Sequence, residues 1–177
     1  MNTFENMYTR KSCRRYTGEN LTDEQLSLIL NAAYTAPVGR AKYDSLHLKV
    51  VQNADYLKRL DEAAAVAFGT PKTHPLFGAP TLIIISSNFP STLAEQVNYS
   101  NAAIVAEHIS LAATELGIGS CLIWGAIRAL NNSPELLKEL ELEDGFIPCC
   151  SVVLGKTYEP FVARQEPKGK IKTEYLK

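Results

Sequence analysis

The chain has 177 residues, of which 46% are hydrophobic and 21% are charged, a balance typical of globular proteins and unlike that of disordered or membrane-embedded ones. Lysine and arginine total 18 against 19 aspartate and glutamate residues, which gives a formal net charge of -1. This balance provides no overall attraction to nucleic acid or to an anionic membrane, so neither is an expected partner.

The first residues, MNTFENMYTRKSCRRY, contain positive charges with no apolar run after them. A secretory signal needs such a run, and no later stretch reaches the length of a membrane span. We therefore expect a cytoplasmic protein, and the length favours a single domain over residues 1–177. In a reducing compartment the four cysteines, which lack C-x-x-C spacing, are expected to stay unpaired, most of them as small hydrophobic residues.

Periodicity and capping residues predict helices and strands along the whole chain. Thr22 and Gln25 form a capping box that begins one helix, and Pro37 ends it. The long apolar segment that Gly117 terminates is expected to be a buried helix. In chain order, a short N-terminal helix is followed by predicted helices at 21–36, 54–68, 93–116 and 133–142 and by predicted strands at 46–53, 81–86, 120–124 and 146–155.

The C-terminal third adds three expectations. Ser133 is a predicted helix cap with Pro134 at the first helical position. Cys149 and Cys150 are adjacent on a predicted strand, where neighbouring side chains point to opposite faces. After Gly155 the chain turns polar but keeps isolated apolar residues, which favour a tail on the surface that docks across a subunit interface, with a frayed tail as the alternative. These residues are Tyr158, Phe161, Val162, Ile171 and Leu176.

The densest polar cluster is the segment RKSCRR at residues 10–15. In an extended segment alternate residues share a side, so Arg10, Ser12 and Arg14 are expected to point the same way. The fixed fork of arginine donors matches phosphate oxygens, and a hydroxyl adds a neutral donor. The set suits a phosphorylated ligand; the alternative is a solvated basic patch, which on this pattern alone is the more frequent case.

Arg10, Ser12, Arg14 and Tyr16 have the form R-x-S-x-R-x-F/Y, and three further blocks follow in order. They are the loop in AAYTAPVGRAKYDSLHLKVV, the turn and strand in LAATELGIGSCLIWG, and the closing LG before a basic, proline-containing tail. In these blocks the chain resembles the nitroreductase family of FMN-dependent oxidoreductases, over nearly its whole length. The resemblance implies an α+β fold, with a mixed central sheet surrounded by helices and a C-terminal tail that docks across a homodimer.

The resemblance also implies four groups of FMN contacts. The R-x-S-x-R segment contacts the flavin phosphate and polar edge, and the loop after the next helix contributes contacts from the partner subunit. The strand after the G-x-G-S turn offers backbone amides near the reactive N5 atom of the flavin, and the C-terminal tail adds a second phosphate ligand. In that order the residues are Arg10, Lys11 (through its backbone), Ser12 and Arg14; Pro37, Val38 and Gly39; Leu122, Ile123, Trp124 and Gly125; and Arg164 and Lys168. Many relatives carry Ser, Asn and Gln where this chain has Val38, Ala41 and Tyr43.

The implied activity is hydride transfer from NAD(P)H through FMN to a small acceptor such as a nitroaromatic or a quinone, in ping-pong order, with the flavin carrying the chemistry. The altered loop at residues 38–41 motivates an alternative, a flavin-binding carrier, sensor or interaction protein with little reductase activity. The sequence leaves open the acceptor and the choice between NADH and NADPH.

Two other kinds of site are weaker candidates. The three histidines are too scattered for the short, regular spacing of a metal site. Cys13 stands beside Arg14 and Arg15, and positive neighbours lower the pKa of a thiol, so a nucleophilic or redox-active Cys13 is a further hypothesis.

Overall fold

The computed structural model describes residues 1–89, 94–165 and 169–177, and it contains a four-stranded sheet with helices on both faces. No helix in these ranges combines the length and apolar character needed to cross a bilayer. The helices are α1 (Thr3–Thr9), α2 (Asp23–Ala33), α3 (Ala54–Ala67), α4 (Ala94–Glu115), α5 (Trp124–Asn132) and α6 (Pro134–Lys138). The strands are β1 (Leu46–Val51), β2 (Thr81–Ser87), β3 (Gly119–Leu122) and β4 (Ile147–Gly155).

The strand order is β1-β2-β4-β3, and each pair of neighbouring strands is antiparallel. The predicted α+β fold is confirmed, but the sheet differs from the expected mixed one, because its parallel component is an isolated bridge between Ser12 and Ser120. The return path after α3 explains the direction of β2. Leu76 N donates to Asp61 Oδ1 in the middle of α3 at 2.7 Å, so the chain runs back along the helix and β2 starts beside the end of β1.

The central strand β2 supplies side chains to two apolar clusters, one on each face of the sheet. Leu82 and Ile84 pack with α3, α5 and α6, whereas Ile83 and Ile85 pack with α2 and α4. All four are fully buried, as the apolar run predicted. Burying a Leu or Ile side chain contributes about 1.5–3 kcal/mol, so this strand stabilises both layers of helices.

Several helix ends agree with the sequence. Gln25 N donates to Thr22 Oγ1 at 3.2 Å and Thr22 N donates to Gln25 Oε1 at 3.0 Å, which completes the capping box of α2. The helix ends at Ala33, four residues before Pro37. At the end of α4, Gly117 has a φ of 68°, the left-handed conformation that glycine adopts at low cost.

The segment after β3 differs from the prediction. Residues 120–124 were expected to be a strand, yet β3 ends at Leu122 and α5 begins at Trp124. Ile123 N donates to Ser151 O at 2.9 Å, and the chain then leaves the sheet. Pro134 lies in the first turn of α6 as predicted, whereas the Ser133 side chain makes no capping hydrogen bond.

The two adjacent cysteines of β4 lie at a bulge. Ile85 pairs with Cys150 and Ser86 pairs with Pro148, which leaves Cys149 without an opposite residue. The bulge breaks the alternation, so both thiols pack in the cluster with α2 and α4, and the prediction of opposite faces is wrong. All four cysteines are buried and unpaired, as expected.

Candidate functional site

The basic segment at residues 10–15 lies along the free edge of β3. Ser12 pairs with Ser120 in the isolated parallel bridge, and Cys13 N donates to Ser120 O at 2.8 Å. The segment is therefore extended, which is the condition for its alternate side chains to share a side.

In the extended segment the alternation of side chains places Arg10, Ser12 and Arg14 on one side. Burial raises the pKa of the Cys121 thiol on β3, while the guanidinium groups of Arg14 and Arg10 and the Ser12 hydroxyl act in the opposite direction; Glu159 raises this pKa further. These contributions support the grouping that the spacing predicts, and the role of the three residues in binding stays a prediction.

Arg10 carries a donor that suits an anion. Its Nε lies 3.6 Å from Glu107 Oε1 on α4, which is an ion pair but too long for a hydrogen bond. Within the part of the chain that the structure describes, this buried Nε has no hydrogen-bond acceptor. A buried donor left unpaired costs about 1–3 kcal/mol, so an acceptor oxygen placed here would be favoured.

Arg14 adds a second cation at the surface. It is exposed, and its guanidinium lies 5.9 Å from the centroid of the Phe77 ring. Such a contact contributes about 0.5–1 kcal/mol at an exposed site and limits where the long side chain can point. The residues present therefore fit a phosphate group.

The Lys11 side chain lies on the other side of the segment. Its Nζ is 2.9 Å from Glu159 Oε2, and Arg14 N donates to Glu159 Oε1 at 2.6 Å. These two interactions hold the pKa of Glu159 below its usual range. The Lys11 ammonium therefore points away from Arg10 and Arg14, which leaves Lys11 its backbone for a ligand.

Cys13 shares that second side. The residue is fully buried, and burial raises the pKa of its thiol; Glu159 raises it further, while Lys11 acts in the opposite direction. The exposed Arg14 and Arg15 do not compensate for the lost hydration of a thiolate. The expected lowering of the Cys13 pKa, on which the hypothesis of a reactive thiol rested, is therefore wrong.

The end of β3 leads to the start of α5. Leu122 is half-buried, and the Ile123 amide is already bonded to Ser151, so it is not free for a ligand. Trp124 and Gly125 begin α5, whose first N–H groups lack acceptors within the helix and receive no side-chain cap from Ile123. Trp124 is 59% exposed. The amides available to a ligand are thus those at the start of α5.

Residues of helix α4 lie against both the start of α5 and the basic segment. The Tyr99 ring lies 6.4 Å from the Trp124 ring, and Glu107 is the partner of Arg10. Glu107 comes eight residues after Tyr99 on α4. It therefore lies about 12 Å further along the helix axis, and the two side chains leave the helix at directions about 80° apart. Trp124 and Arg10 therefore flank one side of α4.

The loop of Pro37, Val38 and Gly39 lies elsewhere. Gly39 N donates to Asn101 Oδ1 at 3.1 Å. Asn101 comes two residues after Tyr99 on α4, so it is rotated by about 200° around the helix axis and lies on nearly the opposite side of the helix. A single chain therefore does not bring this loop to the basic segment.

The structure brings Arg164 of the tail to the N-terminal helix. Its Nε and its backbone N donate to Tyr8 O at 3.1 and 3.0 Å, and its Nη2 donates to Met7 O at 3.0 Å. Both carbonyls lie in the last turn of α1, which ends at Thr9, directly before Arg10. Lys168, the other tail residue of the predicted site, lies outside the described residues.

Three residues that shape this site were not predicted from the sequence. Glu159 binds the Lys11 side chain and the Arg14 amide of a segment that is far from it in sequence, and its signal in the sequence was an acidic residue in a basic tail. Phe77, under Arg14, has a φ of 56°, which nothing in the sequence indicated. Cys121, around which the basic side chains gather, was identified only as an apolar strand residue.

The larger hollows of the single chain do not coincide with this site. One of about 790 Å³ is bounded by α3, α5 and α6, and another of about 500 Å³ lies beside Tyr34 and Tyr43. Charged residues such as Arg59 and Glu62 line the larger hollow, but neither lining includes a buried polar atom without a partner among the described residues, as Arg10 Nε is in the basic segment.

The comparisons with known proteins agree with one another. The model of the Nitroreductase family matches residues 7–156. A protein of Archaeoglobus fulgidus, provisionally named NADH dehydrogenase/NAD(P)H nitroreductase, is 28% identical over 134 residues, covering 76% of this chain and 72% of that protein. A protein of Methanothermobacter thermautotrophicus with the same provisional name is 26% identical over 160 residues, covering 88% and 77%.

Solved structures show the same likeness. A nitroreductase with bound FMN from Bacteroides fragilis is 26% identical, with a TM-score of 0.79 and coverage of 99% of this chain and 100% of that one. A nitroreductase with bound FMN from Desulfitobacterium hafniense is 25% identical, with a TM-score of 0.81 and the same coverage. Since the family model matches most of the sequence, this chain belongs to the nitroreductase family.

Proposed function

We propose that this chain is an FMN-dependent oxidoreductase that passes hydride from NAD(P)H to a small organic acceptor such as a nitroaromatic or a quinone. The observation that carries the proposal is the gathering of Arg10, Ser12 and Arg14 on one side of an extended segment, with a buried Arg10 donor that lacks an acceptor among the described residues. The relatives that hold FMN support it.

In this proposal each part of the site has its own task. Arg10, Ser12 and Arg14 bind the phosphate, and Arg164 stands beside them at the end of α1. The amides of Trp124 and Gly125 lie at the positive end of the α5 dipole, which favours negative charge on a group in contact with them. FMN, when bound, supplies the acceptance and release of hydride. One open pocket then serves donor and acceptor in turn, so ping-pong kinetics are expected.

We further propose a homodimer. The Pro37–Gly39 loop lies on the far side of α4 from Trp124, so it reaches a flavin site only if the site belongs to a second copy. The tail also exposes apolar side chains: Val162 is 67%, Ile171 82% and Leu176 104% exposed. Apolar side chains exposed to this extent along one segment favour cover by a partner, and the occupant that we propose is the second subunit.

The domain organisation and the compartment stay predictions. A single domain over residues 1–177 is supported by the one sheet to which both helical layers contribute contacts. A cytoplasmic location is supported by four buried, unpaired thiols, which are typical of a reducing compartment.

An anaerobic titration tests the enzyme against the alternative of a flavin-binding carrier or sensor. Protein loaded with FMN is titrated with NADH and, separately, with NADPH while the flavin absorbance is followed, and a quinone is then added. Bleaching that the quinone reverses supports the oxidoreductase. Bound FMN that neither donor bleaches supports the carrier or sensor, and failure to bind FMN contradicts both.

A further inference from the structure

The extended segment at residues 10–15 is held at both edges, but only one edge meets a strand. On one edge Cys13 N donates to Ser120 O of β3 at 2.8 Å. On the other, Arg14 N donates to Glu159 Oε1 at 2.6 Å. Successive amides of an extended chain point to opposite edges, so the Glu159 carboxylate replaces the carbonyl that a neighbouring strand would offer.

The same carboxylate also holds a side chain of the segment. Its second oxygen lies 2.9 Å from Lys11 Nζ, and the Glu159 side chain is 22% exposed. Hydrogen bonds from Arg14 N and Lys11 keep its pKa below the usual range, so the group is ionised at neutral pH. One anion therefore binds two successive parts of the basic segment.

The backbone around Glu159 is itself anchored to the segment. Thr157 Oγ1 donates to Arg15 O at 2.7 Å and accepts from Glu159 N at 3.1 Å. The carboxylate is thus presented from a short, fixed stretch of chain after β4.

We propose that Glu159 is a positioning residue for the cofactor phosphate, which acts by clamping the Arg14 amide and the Lys11 ammonium on the side opposite the phosphate-binding side chains. The inference rests on the proposed FMN site. Glu159 does not touch the ligand; it keeps the segment extended, so that Arg10, Ser12 and Arg14 stay on one side.

Two effects of removing the carboxylate oppose each other. Loss of a negative charge strengthens the attraction for phosphate, but this charge lies across the segment from the site, near solvent that screens it. Loss of the clamp releases the segment, which must then be ordered again when the ligand binds. A charge-assisted hydrogen bond is the larger of the two contributions, so we expect the Kd of FMN to rise about tenfold.

The experiment compares FMN with riboflavin, which has the same ring system and no phosphate. Dissociation constants for both are measured by quenching of flavin fluorescence with the wild type, with Glu159→Gln and with Glu143→Gln. The Glu143 variant makes the same change of charge at an exposed residue whose side chain has no hydrogen bond or ion pair within the described ranges. We expect weaker FMN binding and unchanged riboflavin binding for Glu159→Gln alone.

Other outcomes separate the two proposals. A wild type that prefers FMN over riboflavin, with the same preference in Glu159→Gln, overturns the role of Glu159 alone, and so does an equal loss for both ligands. A wild type with no preference for FMN overturns the phosphate site and this inference together. If the variant does not fold, hydrogen exchange of the Arg14 amide in the wild type decides: protection supports the clamp, and free exchange overturns it.

Discussion

The ring of Phe68 fills the space beside Gly125: its Cε2 lies 2.5 Å from the point where a Cβ at position 125 would stand. Arg128, one turn further along α5, lies over the same ring at 5.8 Å from its centroid. Glycine is therefore needed at position 125 for this close approach. The contact holds the end of α3 against the start of α5, where Trp124 is exposed.

We predict that Gly125→Ala lowers the free energy of unfolding. The added methyl group displaces the Phe68 ring; because this ring is 48% exposed and can move, the cost is expected at the lower end of the roughly 1–3 kcal/mol typical of overpacking. Alanine gains up to about 1 kcal/mol over glycine as a helix former, so the net loss is expected to stay below about 1 kcal/mol. Urea unfolding followed by circular dichroism measures it.

The same substitution in a Phe68→Ala background is the control. With the ring removed, the methyl group has room, and Gly125→Ala is expected to be neutral or stabilising. An equal cost in both backgrounds would show that the Phe68 contact is not the cause.

Arg14→Ala is predicted to weaken FMN binding by about 1.5–3 kcal/mol, the scale of a charge-assisted hydrogen bond left unmade. Fluorescence titration measures the Kd. Arg15→Ala is the matched control, because it removes the same charge from an exposed neighbour on the other side of the segment. Unchanged affinity in Arg14→Ala would remove this residue from the site.

Alkaline pH is predicted to destabilise the fold through the thiols of β4. Burial raises the pKa of Cys149 and of Cys150 to about 11, from 9.0 for a thiol in water. A raised pKa means that the folded state holds the proton more tightly, so this stability is complete below pH 9 and is lost as the pH rises through 11. Each thiol contributes a slope of up to about 1.4 kcal/mol per pH unit.

Urea unfolding under reducing conditions between pH 8 and 11 checks this sign. A variant with Cys149→Ala and Cys150→Ala is expected to start less stable and to lose less stability above pH 9. A slope as steep as that of the wild type would assign the alkaline loss to other groups.

The exposed tail residues are predicted to stabilise the dimer without stabilising the single chain. Sedimentation equilibrium of the wild type should give twice the chain mass of 19.5 kDa. Ile171→Ser with Leu176→Ser should raise the dimer dissociation constant about tenfold or more, because two apolar side chains lose their cover. Lys170→Ser with Lys177→Ser is the control; a monomeric wild type that retains FMN would contradict the prediction.

Local patterns predicted much of the architecture. The Thr22–Gln25 capping box and the apolar run of β2 are read within a few residues, and both were found at the expected places. The grouping of Arg10, Ser12 and Arg14 was predictable for the same reason, since alternation follows from the covalent geometry of an extended chain. The sequence by itself therefore determined the main elements and which side chains make up the proposed phosphate-binding side.

The tertiary structure decided what each of these features meets. The carboxylate that binds the Arg14 amide belongs to Glu159, 145 residues away. Strand β3 ends and α5 begins on either side of Ile123, whose amide donates to Ser151 O of β4. The chain returns along α3, and this return sets the direction of β2. A bulge in β4 places the side chains of Cys149 and Cys150 in the same apolar cluster. Such pairings depend on packing between segments far apart in sequence, which no local period of 2 or 3.6 residues encodes.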